Sequence, residues 1–260
     1  MHRHVKSVLY PLITALILLV AWSLAVSVLH VPSYVLPSPG SVGTALEQGY
    51  LGGSYWPHFF FTLESTCIGF VFGSITAFLL GCLFAESRTI EQFCYPLVVA
   101  FQSMPKVALA PLILVWFGFD LTSKVVMVAL VCFFPMFINT VVGLKNTPPA
   151  LLDLMHAFSA SRLYILLHIK IPSAAGHLFA GLEIAAVMGL IGAVVAEFVS
   201  STRGLGYLIS ASAGNMETNV MFAGLASLAV LGVAASLLIG LVHKKVVFWE
   251  RASERPGLDQ

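Results

Sequence analysis

Pro148-Pro149-Ala-Leu151-Leu-Asp153-Leu154-Met155-His-Ala157-Phe158-Ser159-Ala-Ser-Arg162-Leu-Tyr-Ile-Leu-Leu-His168-Ile169-Lys170-Ile171-Pro172 is the stretch that decides how this chain is built. It lies between two long apolar runs, 123–143 and 174–199. Proline at both ends bounds a run of helical character, Ala150–Ile169, that is too polar to cross a membrane. Leu151, Met155 and Phe158 recur at i, i+4 and i+7 and so share one face. With Leu152 and Leu154 they give more apolar surface than a solvated loop shows. Such a face either receives a partner or lies on the lipid surface as a plain connector. The pattern fits both.

Working outward, the flanking runs are two of six. A membrane helix needs about 20 mostly apolar residues. The stretches 8–29, 59–84, 95–117, 123–143, 174–199 and 219–242 meet that length. The 260 residues are 58% hydrophobic and only 10% charged, with a mean hydropathy of +0.94. A soluble domain carries about 25% charged residues, so the solvent of this chain is largely lipid. Basic arms for nucleic acid are absent. The first run follows His2, Arg3, His4 and Lys6, as a signal peptide would, but it exceeds the roughly 7–15 apolar residues of a signal core and reads as an uncleaved anchor.

Charge placement orients the spans. With a cytoplasmic N-terminus, the inner side holds Arg3, Lys6, Arg88, Lys145, Arg162, Lys170, Lys244, Lys245, Arg251 and Arg255, ten of the thirteen Lys and Arg residues. The outer side holds Lys124 and Arg203, and Lys106 falls inside the third span. The positive-inside rule therefore predicts both termini in the cytoplasm. The opening stretch then belongs to an inner loop, 144–173. The outer loop 30–58 contains Leu36-Pro-Ser-Pro-Gly-Ser41, and a short helix Val42–Gln48 capped by Ser41 is expected there.

The third span is the unusual one. Pro96, Pro105 and Pro111 interrupt it, and Gln102, Ser103 and Lys106 are polar. Proline removes a backbone hydrogen bond, and backbone freed at membrane depth lies against protein or lines a cavity. Gln102, Ser103, Met104 and Lys106 are therefore candidates for a translocation path, the alternative for Lys106 being to snorkel to the headgroups. Intramembrane carboxylates face the bundle interior, which adds Glu183, a candidate partner of Lys106, and Glu197 near the outer end of the fifth span, within reach of a cation such as Arg203. Glu64 reads as a headgroup-level residue. Gly69, Gly73, Ala77 and Gly81 form a small-residue stripe along the second span, and Gly181, Ala185, Gly189 and Gly192-Ala193 another along the fifth. Each stripe serves packing within the chain or, in the fifth span, contact with a second copy.

The inner loop also resembles the signature of binding-protein-dependent ABC importer permeases. In that family a Glu-Ala-Ala triplet is followed after three residues by Gly, and after nine more by Ile-x-Leu-Pro. Here Asp153, Leu154 and Met155 stand at the triplet, Ser159 at the Gly, and Ile169 and Ile171-Pro172 at the end. The spacing matches while several identities differ. Leu36-Pro-Ser-Pro39, Ser103-Met-Pro-Lys-Val-Ala-Leu-Ala-Pro111 with Trp116-Phe-Gly118, Phe133-Phe-Pro135 with Asn139-Thr140, and Val195-Ala-Glu197 with Gly204-Leu-Gly-Tyr207 resemble the members that import sulfonates, taurine, nitrate and pyrimidine precursors. The resemblance covers roughly residues 35–245.

That resemblance implies an all-α polytopic permease of six transmembrane helices in a bacterial inner membrane. Its coupling helix would carry Leu151, Asp153, Leu154, Met155, Ala157, Phe158 and Ser159, with Ile169 and Pro172 ending the signature. It implies two ABC ATPase subunits, a second copy of the chain, and a periplasmic or lipid-anchored substrate-binding protein. The cargo would be a sulfonate, nitrate, taurine, pyrimidine-like or similar organic anion, moved by alternating access.

The residues exclude other chemistries. No GxxxxGK[ST] loop is present, so ATP would be hydrolysed by a partner. Cys67, Cys82, Cys94 and Cys132 stand singly in apolar segments, which fits neither a disulfide framework nor a zinc site. His156, His168 and His177 lack HExxH spacing, and no serine sits in GxSxG. No cofactor or metal is called for. A gradient-driven secondary carrier remains the alternative, although such carriers pair their broken helices and only one broken span is visible here.

Overall fold

Apolar runs of this length can satisfy their backbone groups in lipid only as helices, and the computed structural model, which describes residues 2–249 with side chains for 9, 10 and 13–249, is built of helices joined by turns and loops, with no strand among the described residues. Arg251 and Arg255, and the side chains of Arg3 and Lys6, lie outside the described residues. The helices are α1 (His2–Val28), α2 (Pro39–Leu51), α3 (Trp56–Glu86), α4 (Arg88–Ser103), α5 (Ala110–Phe117), α6 (Leu121–Lys145), α7 (Pro149–Ala157), α8 (Arg162–Ile165), α9 (Ile171–Ser173), α10 (Ala175–Ser200), α11 (Leu205–Gly214) and α12 (Thr218–Val246). Four of them, α3, α6, α10 and α12, are each long and apolar enough to cross a membrane.

The chain divides into two units, one of residues 1–61 and 202–229, the other of 62–201 and 230–260. In the first, α2 begins earlier than the expected Val42 and ends later than Gln48. Pro39 supplies a preset φ in the first turn, and Ser38, not Ser41, caps the helix by accepting the Ser41 amide at 3.2 Å. Val42, Ala45, Tyr55 and Ala223 form its core. Tyr50 donates to Ser227 Oγ at 2.8 Å, and Trp56 Nε1 donates to the Tyr50 carbonyl at 3.1 Å.

In the second unit α6 is the axis. Its register with α10 is antiparallel. Gly143 meets Ala174, Gly181 meets Asn139, Gly189 meets Cys132 and Gly192 meets Val131. The small-residue stripe of the fifth span is thus packed against α6. The stripe of α3 does the same in parallel: a Cβ on Gly73 would stand 2.6 Å from the Ala129 carbonyl oxygen, and one on Gly69 2.5 Å from Val128 Cβ. Close approach of this kind requires glycine.

The run 95–117 is two helices. α4 ends at Ser103, Met104 turns extended ahead of Pro105, as a residue before proline prefers, and a 3₁₀ turn (Lys106–Leu109) leads into α5. The two arms meet at 86°. Of the three prolines only Pro105 makes the break. Pro96 is carried inside α4, and Pro111 sits in the first turn of α5, where its missing amide would have had no partner.

The expected single helix Ala150–Ile169 is also corrected. α7 stops at Ala157, and helix resumes at Arg162. From there α8, a π turn (Leu166–Lys170), α9 and α10 follow one another, so Ile171-Pro172 does not end the element. Pro172 cannot donate an amide bond, and the π turn just before it takes up the mismatch.

Candidate functional site

The α7 segment is built by its termination. Ser159 adopts φ 55°. Its amide bonds the His156 carbonyl at 2.9 Å, and the Ala160 amide bonds the Met155 carbonyl at 3.0 Å. These are the two bonds of a Schellman motif, with Ser159 in the left-handed position that glycine normally fills. The backbone here does what the resembled signature's glycine would allow, at a cost of about 1 kcal/mol for a side chain.

This sharp stop leaves one side of α7 bare. Leu151 is 41% exposed, Leu154 49% and Phe158 74%. Asp153 and Ala157 are exposed with them, while Met155 and Leu152 are half-buried. Ile169 and Pro172, also half-buried, lie on the returning helix. Two ion pairs brace the surroundings. Lys145 at the end of α6 pairs with Glu91 of α4, and Lys170 pairs with Glu86 at the end of α3 at 2.5 Å.

Gln102, Ser103, Met104 and Lys106 come together at the break between α4 and α5. Gln102 lines a cavity of about 240 Å³ between α4 and α6, with Glu91, Tyr95 and Phe137 on its walls. Ser103 Oγ donates back to the Val99 carbonyl at 2.9 Å. Lys106 Nζ donates to the Gln102 carbonyl at 3.1 Å and stands 4.7 Å from the centre of the Phe134 ring. That cation–π contact holds the charge at the break.

Glu183, expected as a partner of Lys106, is placed elsewhere. Glu183, on the exposed side of α10, lines a separate cavity of about 380 Å³ with Ser236, His243 and Lys244, where the His243 ring stacks on Phe179 at 4.6 Å. Glu197 is 1% exposed, and its Oε1 accepts from Thr62 Oγ1 at 2.8 Å. Glu64 is exposed.

Lys124, counted from the sequence only as a cation on the outer side, is a structural centre of its own. Lys124 has no exposed surface. Its Nζ donates to the carbonyls of Phe119 at 2.6 Å and Ser200 at 2.7 Å. Ser200 is the last residue of α10, whose negative helix end suits a cation. In sequence Lys124 sits in the first turn of a span, where lysine is commonplace. Its burial depends on a carbonyl 76 residues away, which no local pattern reveals.

Comparison with known proteins adds an independent line. Residues 69–248 match the family described as the binding-protein-dependent transport system inner membrane component. The riboflavin transport system permease protein RibX of Chloroflexus aurantiacus is 38% identical, over 92% of this chain and 89% of that protein. The formylaminopyrimidine transport permease protein ThiX of Halalkalibacterium halodurans is 30% identical, over 94% and 96%. A chain in an inward-facing structure of the MetNI methionine ABC transporter superposes with a TM-score of 0.59 at 21% identity, over 79% of this chain and 96% of that one. The last comparison speaks to fold alone.

Proposed function

Because the chain belongs to the family of binding-protein-dependent transport system inner membrane components, and so is the permease subunit of an ATP-binding-cassette importer, we propose that α7 is the helix through which partner ATPases drive it. The observation that carries this is the bare apolar face of α7, Leu151, Leu154 and Phe158, ended by the stop at Ser159. An exposed apolar face next to charged, water-facing side chains is the surface a groove on a partner covers.

In this reading two copies of the chain bind two ATPase subunits. Asp153, Met155 and Ala157 complete the contact, and the helix from Arg162 through Pro172 carries its displacement into α10. The four spanning helices, the bent α4–α5 pair and α1 make six crossings, with both termini and α7 in the cytoplasm, as the Lys and Arg distribution requires. A binding protein delivers cargo from the other side. The break at Gln102–Lys106 lies on the path, because polar side chains and freed backbone at membrane depth line cavities. Glu183, exposed in a membrane-crossing helix, faces the same route or the second copy. Glu197, buried on Thr62, supports the route from behind. The cargo is a small heterocycle or organic anion. RibX and ThiX, named for riboflavin and a formylaminopyrimidine, favour the heterocycle.

The test is reconstitution in liposomes with the ATPase subunits and binding protein. Uptake should require ATP and all components. Phe158→Asp should abolish uptake while the ATPases still hydrolyse ATP in solution. Uptake by the chain alone, driven by an ion gradient, would establish a secondary carrier instead.

A further inference from the structure

The second unit contains a polar cavity that the transport reading does not use. It holds about 670 Å³ and lies between the α3–α4 turn, α7 and the helix from Arg162 to Lys170. Arg88, Arg162 and Lys170 line it, with His156 of α7 and a single carboxylate, Glu86. Glu86 is taken by Lys170 at 2.5 Å. Arg88 and Arg162 make no ion pair among the described residues. Two arginines from different elements thus line one cavity without a carboxylate of their own, an arrangement that favours an anion between them. Guanidinium also has the fork geometry that matches phosphate oxygens.

The rest of the wall has the same bias. Thr89 lines the cavity in the first turn of α4. Ser87 Oγ accepts the Ile90 amide at 3.3 Å, so the amides of Arg88 and Thr89 find no acceptor within the helix. The positive end of α4 therefore adds to the charge of the arginines. Nearly every polar group in the cavity is a donor.

We propose that this cavity binds a phosphate group, either the headgroup of an anionic phospholipid in the adjoining leaflet or a free phosphate. The leaflet rests on the orientation proposed above. Because His156 and Leu152 of α7 form part of the wall, a bound phosphate braces α7 from the side opposite its bare face. The occupant would set how firmly α7 is held when the ATPases engage it.

The test uses the full chain in detergent, titrated with inorganic phosphate, with dioctanoyl phosphatidylglycerol and with chloride at matched ionic strength, followed by calorimetry. Wild type should bind at least one of the phosphate compounds, and the R88Q/R162Q double variant should bind it at least tenfold more weakly. Both arginines are exposed, so the variant's unliganded melting temperature should not fall. Binding of phosphatidylglycerol alone assigns the cavity to lipid, and binding of both assigns it to phosphate in general. Equal binding by wild type and variant, or none at millimolar concentration, overturns the proposal. So does a variant that loses only its ATPase partner, which would give the arginines to a protein carboxylate. Orientation is read separately, by labelling Thr89→Cys in intact cells with a membrane-impermeant maleimide in a background without the native cysteines. Labelling from outside would reverse the orientation and leave the detergent result standing.

Discussion

The two ends of α6 handle charge in opposite ways. At its start, Lys124 is fully buried and bonded to the carbonyls of Phe119, in the turn before α6, and Ser200, at the end of α10, and Glu197 is bonded to Thr62. At its far end, Lys145, Glu91, Lys170 and Glu86 pair in partly exposed positions, and apolar side chains of α7 stand bare beside them. At the first end the buried charges find partners within the chain. The second has left its apolar surface uncovered and its cations, Arg88 and Arg162, unmatched. The proposed drive through α7 would use this asymmetry: an end with its charges held inside the chain, and an end finished by a partner.

The closed end should be the costlier to damage. Lys124→Met keeps the length of the side chain but takes the buried donor from the partly buried carbonyls of Phe119 and Ser200, each loss worth about 1–3 kcal/mol. Thermal unfolding in detergent should show a loss of about 3–5 kcal/mol, seen as a poor yield of monodisperse protein. A Lys124→Met chain as stable as wild type would show that water reaches this end and that the contrast with the far end is false.

Between the ends, the α3–α6 contact is expected to cost less. Gly73→Ala would place a Cβ 2.6 Å from the Ala129 carbonyl oxygen, and because that atom is backbone, relief requires a helix shift of about 1–3 kcal/mol. Gly240→Ala is the matched control. Its Cβ would meet nothing within 4 Å, and helix propensity should raise stability by about 0.5–1 kcal/mol.

How far these regions were legible in the sequence follows the same divide. Four of the six expected spans, α3, α6, α10 and α12, were plain, because a run of twenty apolar residues has few other uses, while the third run hid its break at Pro105. Leu151 and Phe158 pointed to an apolar face on α7, but Leu154 rather than Met155 shares their exposure. Two further things were hidden. Burial of Lys124 depends on the Ser200 carbonyl, and the cavity of Arg88 and Arg162 joins residues 74 positions apart in sequence. Local rules also misplaced ends. Ser41 looked like the cap of α2, but Pro39 fits the first turn and hands the cap to Ser38. Pro172 looked like a terminator, but the π turn carries helix through it.

The open end should respond in function more than in stability. Phe158→Ala removes the most exposed of the large α7 side chains from a surface that packs on nothing in the chain. Melting should change by less than about 0.5 kcal/mol. ATP-driven uptake should fall at least tenfold, about 1.4 kcal/mol, if the ring is an anchor in a partner groove. Full uptake by Phe158→Ala would leave α7 as a connector lying on the lipid surface.

The smallest effect separates the stop from the face it exposes. Ser159 holds a left-handed φ of 55°, which glycine adopts without strain. Ser159→Gly should relieve that strain at the native conformation while giving back some entropy to the unfolded chain. The net change should be a gain of no more than about 1 kcal/mol. Ser159→Val should instead lose about 1–2 kcal/mol, since a β-branched residue is an outlier at positive φ. The informative measurement is the ratio of ATP hydrolysed to solute imported. If the Schellman stop aims the bare face of α7, Ser159→Gly keeps that ratio and Ser159→Val raises it, with more ATP spent for each solute moved. If both variants keep it, the turn at Ser159 only joins two helices.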